Sequence, residues 1–170
     1  MGSKAPTFLS SYLPYLLRQA DQALSAPLYE VLNRHGIARS EWRVLAVLNE
    51  FGELGVVELA QHSLSPQPTV THAVGRLKER GLVERTRGVQ DKRQRLVVLT
   101  PAGTKVTRSL IKQAEELERT ALAHAGDRST LFAQLRELTS LVEASNRNEA
   151  EIATEADVFA QLPKSRRSST

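Results

Sequence analysis

The sequence predicts a mainly α-helical fold with a small β-hairpin wing, the layout of a winged helix-turn-helix. Three observations in one segment predict it. Residues 66–80 place apolar side chains at helical spacing, with a proline in the first turn. Gly81 ends this helix. Two strand-like runs follow, residues 82–87 and 94–99, joined by a turn long enough to project.

The chain begins with a predicted flexible start, residues 1–7, and a long helix over residues 8–32. Apolar residues recur along this helix at helical spacing. Because proline kinks a helix interior, we expect either a bend near Pro27 or two helices placed end to end. Gly36 is expected to stop this part of the chain.

Two shorter helices are predicted next. Ser40 is expected to cap a helix that continues to residue 51, with Glu41 favourable at its positive end. Residues 56–61 form a short third helix.

Ser65 is expected to cap the fourth helix, with Pro66 at the first helical position, where a missing N–H costs nothing. Four residues form the side of this helix that should pack against a core: Val70, Ala73, Val74 and Leu77. The opposite side is free to enter a groove.

Two helices are predicted after the hairpin. Thr100 and Pro101 open a long helix that reaches residue 125. Asp127 is expected to cap a last helix, which covers about residues 128–142. Residues 146–170 are polar and are expected to form a tail with at most one short helix.

Composition excludes several classes of protein. The 170 residues contain no cysteine, which excludes disulfides and thiolate zinc sites. The four histidines lack metal-ligand spacing, so we expect no metal and no cofactor. No nucleophile–base pattern or phosphate loop occurs, so we expect no catalytic residue and no enzyme. No run approaches the roughly 18 apolar residues of a membrane span, and we expect a cytoplasmic protein without a membrane partner.

The net positive charge of the chain comes from the predicted helix and hairpin. The whole chain has a net charge of +4, but residues 65–99 alone carry eight Lys and Arg against three acids. The rest of the chain is therefore slightly acidic. Clustered cations on a helix and an adjacent hairpin are typical of a nucleic-acid interface.

Three motifs in this order resemble the MarR family of bacterial transcription regulators. They are Gly81-Leu82-Val83-Glu84-Arg85, then Asp91-Lys92-Arg93, then Leu99-Thr100-Pro101-Ala102-Gly103. The resemblance covers roughly residues 16–142. It implies four helices, a strand, a wing, a second strand and two further helices, with the terminal helices building a two-fold dimer.

The resemblance also implies a domain organisation. The winged helix-turn-helix domain would cover residues 8–145, with a DNA-binding lobe at about 53–99 and dimerisation helices at 8–35 and 101–145. The chain departs from the family pattern in two respects. Its first helix contains prolines, and its tail is longer than the pattern requires.

A recognition helix reads base edges with side chains near its start. The candidates on the fourth helix are Ser65, Gln67, Pro68, Thr69, Thr71, His72 and Arg76. Arg76 either reads guanine or holds a phosphate, and Pro68 suits a thymine methyl group. Gly75 either allows a close approach of the backbone to DNA or serves helix packing.

The resemblance places an arginine at the wing tip, Arg93, with Asp91 as its support. Arginine suits a narrow minor groove, and a nearby carboxylate fixes its rotamer. The alternative is an ordinary surface ion pair. Arg87, Lys92 and Arg95 are expected to touch phosphates, which position the protein without specifying sequence.

Members of the family commonly bind small anionic, often aromatic ligands between the dimer helices and the DNA-binding lobe. Arginine beside an aromatic ring suits such a ligand. The candidates here are Tyr15, Arg18, Gln19, Arg39, Trp42, Arg43 and Arg108. The alternatives are that Trp42 belongs to the core and that the helix arginines are solvated.

The sequence therefore predicts a homodimeric repressor that binds a pseudo-palindromic, double-stranded DNA operator. A small aromatic acid or its CoA thioester would release it. The alternative is a winged-helix module that binds protein and has no sequence-specific DNA binding.

Overall fold

The structure is a computed structural model that describes residues 7–87, 95–124 and 127–160, with the backbone alone from residue 149 onward. The chain divides into two compact units, Met1–Ala121 and Leu122–Thr170. Among the described residues, no helix is sufficiently long and apolar to cross a membrane.

The first unit is mostly helical with one small antiparallel sheet, so the predicted fold class is confirmed. Its helices are α1 (Phe8–Ser11), α2 (Leu13–Arg34), α3 (Arg39–Phe51), α4 (Val56–His62), α5 (Gln67–Glu79) and α6 (Pro101–Ala121). Its strands are β1 (Leu54–Gly55), β2 (Val83–Arg87) and β3 (Arg95–Leu99), in the order β1-β3-β2. Both strands of the hairpin were predicted. The two residues of β1, which pair with Leu96 and Val97, are too few to form a sequence pattern.

One apolar core joins the helices to the sheet. The apolar side chains that are completely buried come from α3, α4 and α5: Val44, Leu45, Leu59, Ala73, Val74 and Leu77. Leu32 of α2, Val97 of β3 and Leu110 of α6 complete this core from the other side. The predicted packing side of α5 is confirmed, because Val70 is also buried. The core therefore fixes which side of α5 is left outside.

The break in the amino-terminal helix lies at Tyr12 and not near Pro27. Tyr12 separates α1 from α2, and Pro14 follows in the first turn of α2, where its missing N–H is tolerated. Pro27 lies inside α2, which continues to Arg34. Two helices placed end to end were one of the two expected alternatives, and α1 and α2 have this arrangement.

The two predicted serine caps are also wrong. Helix α3 begins one residue before Ser40, and the side chain that caps it is Glu41, which accepts the Ala38 N–H at 2.8 Å. Helix α5 has Pro66 at its N-cap, and Ser65 donates its hydroxyl hydrogen bond to the Ser63 carbonyl at 2.9 Å. The side chain of Glu41 therefore caps α3 in place of Ser40, and Pro66 takes the N-cap position of α5 in place of Ser65.

The predicted start of α6 is confirmed. The Thr100 hydroxyl accepts the Gly103 N–H at 3.0 Å and donates to the Gly81 carbonyl at 2.7 Å. Gly103 packs so tightly that an added Cβ would lie 1.9 Å from the Leu82 carbonyl oxygen. Glycine is therefore required where α6 crosses the end of α5. The helix ends at Ala121, four residues earlier than expected.

The second unit contains α7 (Arg128–Ala160). Asp127 caps it, and hydrogen bonds from Thr130 and Ser129 lower the pKa of its carboxyl to about 2. The prediction that this helix ends near residue 142 was wrong. Residues 143–160 contain no glycine or proline and are rich in alanine and glutamate, so nothing in them stops a helix.

Gly103→Ala should destabilise the protein by about 1–3 kcal/mol, because the backbone carbonyl of Leu82 cannot yield to a methyl group. Gly75→Ala is the matched control. An added Cβ at Gly75 meets nothing within 4 Å, so this variant should be more stable by about 0.5–1 kcal/mol from helix propensity. Urea denaturation measures both. Equal effects of the two substitutions would contradict the tight crossing at Gly103.

Candidate nucleic-acid interface

Most of the side chains predicted to read bases lie on the exposed side of α5. Gln67, Pro68, Thr69, Thr71 and His72 are all exposed, whereas the packing side of the helix is buried. The Thr71 hydroxyl donates to the Gln67 carbonyl at 2.9 Å, so it presents its acceptor lone pairs outward. Gly75 lies half-buried on the same helix with open space above it, so packing does not explain this glycine.

Ser65 has a structural part in the turn between α4 and α5. It is half-buried, and its hydroxyl accepts a hydrogen bond from an Arg43 guanidinium nitrogen at 3.4 Å. This contact links α3 to the turn. Arg43, which was predicted to contact a ligand, is thus hydrogen-bonded to Ser65.

Arg76 is held by a buried carboxylate. Its Nε lies 2.7 Å from Oε1 of Glu41, and an Nη nitrogen lies 3.4 Å from the Ser40 hydroxyl. The Glu41 side chain is only 4% exposed, whereas that of Arg76 is 49% exposed. The guanidinium is therefore anchored at its inner edge. Whether Arg76 reads a guanine or holds a phosphate, its guanidinium would do so from this anchored position.

Arg80 extends the same contact to the end of α2. Its guanidinium lies 3.6 Å from the Glu41 carboxylate and donates to the carbonyls of Gly36 and His35 at 2.8 and 3.2 Å. We call Glu41, Arg76 and Arg80 the α5 clasp. The clasp fastens the carboxyl-terminal half of α5 to the turn between α2 and α3.

The α5 clasp was not predicted from the sequence. Glu41 was assigned only to the start of its own helix, and its partner Arg76 lies 35 residues away along the chain. Spacing along a helix or strand does not reveal such a contact.

The hairpin strands bring two of the predicted phosphate contacts together. Arg87 of β2 pairs directly with Arg95 of β3, and both side chains are exposed. Like charges opposite each other in an antiparallel sheet are destabilising. A polyanion laid against this pair would offset that cost. The wing-tip residues Asp91, Lys92 and Arg93 lie outside the described residues.

The predicted ligand contacts lie in several places. Tyr15, Arg18 and Gln19 are exposed on the first half of α2. Trp42 is half-buried and packs against the core. Arg39 stacks its guanidinium on the ring of Tyr29 at 3.8 Å, a partner that sequence analysis did not select.

Arg108 lies on an open groove along α6. The groove has a volume of about 410 Å³ and is lined by two further cations, Lys105 and Lys112. A second groove of about 450 Å³ lies between α2 and α6, with Val31 and Leu117 as apolar walls and Arg34 at its edge. The three cations of the groove along α6 suit an anionic ligand, whereas the second groove also has the acidic residue Glu116 in its lining.

Glu41→Ala should destabilise the protein by about 1.5–3 kcal/mol more than Glu58→Ala, because it removes charge-assisted hydrogen bonds as well as a helix cap. Glu58 is the matched control. It caps α4 by accepting the Gly55 N–H at 2.8 Å, as Glu41 caps α3, but it is exposed. Urea denaturation of both variants isolates the contribution of the clasp. Equal free energies of unfolding would show that the clasp adds nothing to stability.

The chain is similar to known transcriptional regulators. A model of the MarR family matches residues 35–94. The HTH-type transcriptional regulator YwoH of Bacillus subtilis is 31% identical over 115 residues, which are 65% of this chain and 83% of YwoH.

Solved structures give the same result. A MarR family transcriptional regulator from Silicibacter pomeroyi DSS-3 is 34% identical, with a TM-score of 0.71 over 80% of this chain and 98% of that chain. The structure of NadR in complex with 4-hydroxyphenylacetate is 26% identical, with a TM-score of 0.68 over 83% of this chain and 97% of that chain.

Proposed function

Because the chain belongs to the MarR family of transcriptional regulators, we propose that it is a homodimeric repressor of a pseudo-palindromic operator, released by a small aromatic acid or its CoA thioester. The observation that carries the DNA-binding part is the exposed polar side of α5 beside the paired cations Arg87 and Arg95. In this proposal α5 enters the major groove and the hairpin strands lie along the phosphates.

The proposed dimer would cover the apolar surface of the terminal helices. On α1 and the first turns of α2, the exposed large apolar side chains are Phe8, Leu9, Tyr12, Leu13, Tyr15, Leu16 and Leu17. In the second unit, α7 exposes Leu131, Leu135, Leu141 and Val142. Exposed apolar side chains in each unit favour association. A two-fold dimer would set two α5 helices about 34–36 Å apart, one turn of DNA.

The duplex is identified by selection from a random pool with the wild-type chain. We expect an inverted repeat bound by two chains per duplex, measured by fluorescence anisotropy and light scattering. Recovery of no preferred duplex would favour the alternative, a winged-helix module that binds protein.

Arg95→Gln should weaken binding of the selected duplex almost uniformly across sequences and reduce the slope of log affinity against log salt by about 1. The fold should not lose stability, because the substitution removes a like-charge pair with Arg87. Arg119→Gln is the matched control. Arg119 is exposed and paired with Glu116 on α6, so its removal should leave the salt slope unchanged. A slope equal to wild type for Arg95→Gln would place the strand outside the phosphate path.

The effector class is supported by the cations that lie beside rings and apolar walls. Arg18 lies one helical turn from Tyr15, and Arg39 already stacks on Tyr29. The related NadR is solved with 4-hydroxyphenylacetate, a ring that carries a carboxylate. Such a ligand releases the operator only if it binds the DNA-free shape more tightly.

Titration of the duplex complex with 4-hydroxyphenylacetate, other ring acids and their CoA thioesters tests this part. A matching acid should release the duplex and raise the Tm of the free protein. With that acid, Arg18→Ala should shift the half-point of release upward by about tenfold to a hundredfold without changing duplex affinity. If no member of these classes releases the duplex, the effector assignment is wrong and the DNA-binding assignment is unaffected.

A further inference from the structure

Three helices of the first unit end in the same backbone arrangement, a Schellman motif. In α2, Gly36 adopts a φ of +62° and the following residue, Ile37, is buried. In α5, Gly81 adopts a φ of +67° and the following Leu82 is buried. Both ends follow the usual rule that glycine takes the left-handed position and an apolar residue after it packs onto the helix.

The third motif, at the end of α4, has an apolar residue where the other two have glycine, and a polar residue where they have an apolar one. The Leu64 N–H donates to the Gln61 carbonyl and the Ser65 N–H to the Ala60 carbonyl, both at 3.1 Å. The left-handed position is held by Leu64, with a φ of +50°, and the residue after it is a serine. Left-handed backbone is unfavourable for a residue with a Cβ.

Leu64 also leaves its side chain in water. It is 88% exposed, the highest value among the large apolar side chains that the structure describes. Its neighbours are fixed, because Ser63 is buried and the Ser65 hydroxyl is bonded to the Ser63 carbonyl. A strained and exposed leucine therefore projects from a rigid turn. The left-handed turn closes the cap of α4, a task that glycine performs at less cost, and the exposed leucine side chain adds nothing to it. A contact outside the chain would explain why leucine stands here.

The position of Leu64 indicates what it contacts. It lies in the turn between α4 and α5, three residues before the first residue of α5, Gln67. The start of a recognition helix is the part that approaches base edges most closely. The apolar surface that duplex DNA offers in its major groove is the 5-methyl group of thymine, and the deoxyribose faces border the groove.

We propose that Leu64 is a DNA-contacting residue that buries its side chain against the apolar edge of the operator, a thymine methyl group or a deoxyribose. This inference rests on the proposed function, because it requires α5 to lie in a major groove. It adds an apolar contact to the polar ones of α5, from a residue outside the helix. A contact with a thymine methyl group would determine specificity, whereas one with a deoxyribose would only position the protein.

The test uses Leu64→Gly on the duplex selected by the wild-type chain. Glycine relieves the left-handed strain, so Tm should rise by about 2–4 °C. Duplex affinity should nevertheless fall by about five- to tenfold, because the apolar contact is lost. A gain in stability combined with a loss of affinity is not expected of a residue with a purely structural role.

Two further variants control for the backbone. Leu64→Asn keeps a residue that tolerates the left-handed conformation but removes the apolar contact, so its affinity should fall as for glycine. Leu64→Met keeps an apolar side chain and should bind within about twofold of wild type. Full affinity of both the glycine and asparagine variants would overturn the proposal.

Replacement of each thymine by deoxyuridine distinguishes the two contacts. If Leu64 meets a methyl group, one replacement weakens the wild type and has no effect on Leu64→Gly. If it meets a deoxyribose, no single replacement separates the two proteins, although Leu64→Gly still binds more weakly. Failure of the wild type to bind any duplex would defeat the proposed function and this inference together, whereas equal binding by both proteins defeats only this inference.

Discussion

The buried carboxylate of Glu41 is the contact on which the placement of α5 depends. It accepts the Ala38 N–H that begins α3 and binds Arg76 from α5. Through Arg80, the same site reaches the carbonyls at the end of α2. A carboxylate buried without partners would be costly, so the site is stable only when all three helices are present together. The apolar core sets which side of α5 faces outward, and the clasp fixes the helix against α2 and α3.

The features that cost folding free energy are concentrated near the proposed DNA surface. Arg87 faces Arg95 across the hairpin, Gly75 lies inside α5 without a packing need, and the exposed Leu64 has a left-handed backbone. The features that favour folding lie on the opposite side of α5 or at its far end, where Gly103 allows α6 to cross Leu82 closely. Departures from the rules of stable folding are expected where a protein must bind something else.

Local chemistry was predictable from the sequence, and contacts over long distances were not. The buried side of α5 followed from helical spacing, and the start of α6 followed from Thr100 before Pro101. The clasp could not be predicted, because Glu41 and Arg76 meet only after α3 and α5 pack. The serine caps failed for another reason. Helix α3 begins one residue earlier than expected, so Ser40 lies inside it and Glu41 reaches back to the Ala38 N–H, and at α5 the N-cap is Pro66. A shift of one residue at a helix start is not readable from residue types alone.

The arrangement of α2 gives the proposed release by ligand a mechanical basis. Its amino-terminal half carries exposed apolar residues and Arg18, whereas its carboxyl end is bonded to Arg80 of α5. A helix of 22 residues is about 33 Å long and transmits displacement along its length. A ligand bound at its exposed half would therefore be connected to α5 through packed and hydrogen-bonded residues of this chain. The effect of the ligand is limited to the difference in ligand affinity between the two shapes, so tight binding alone would not release DNA.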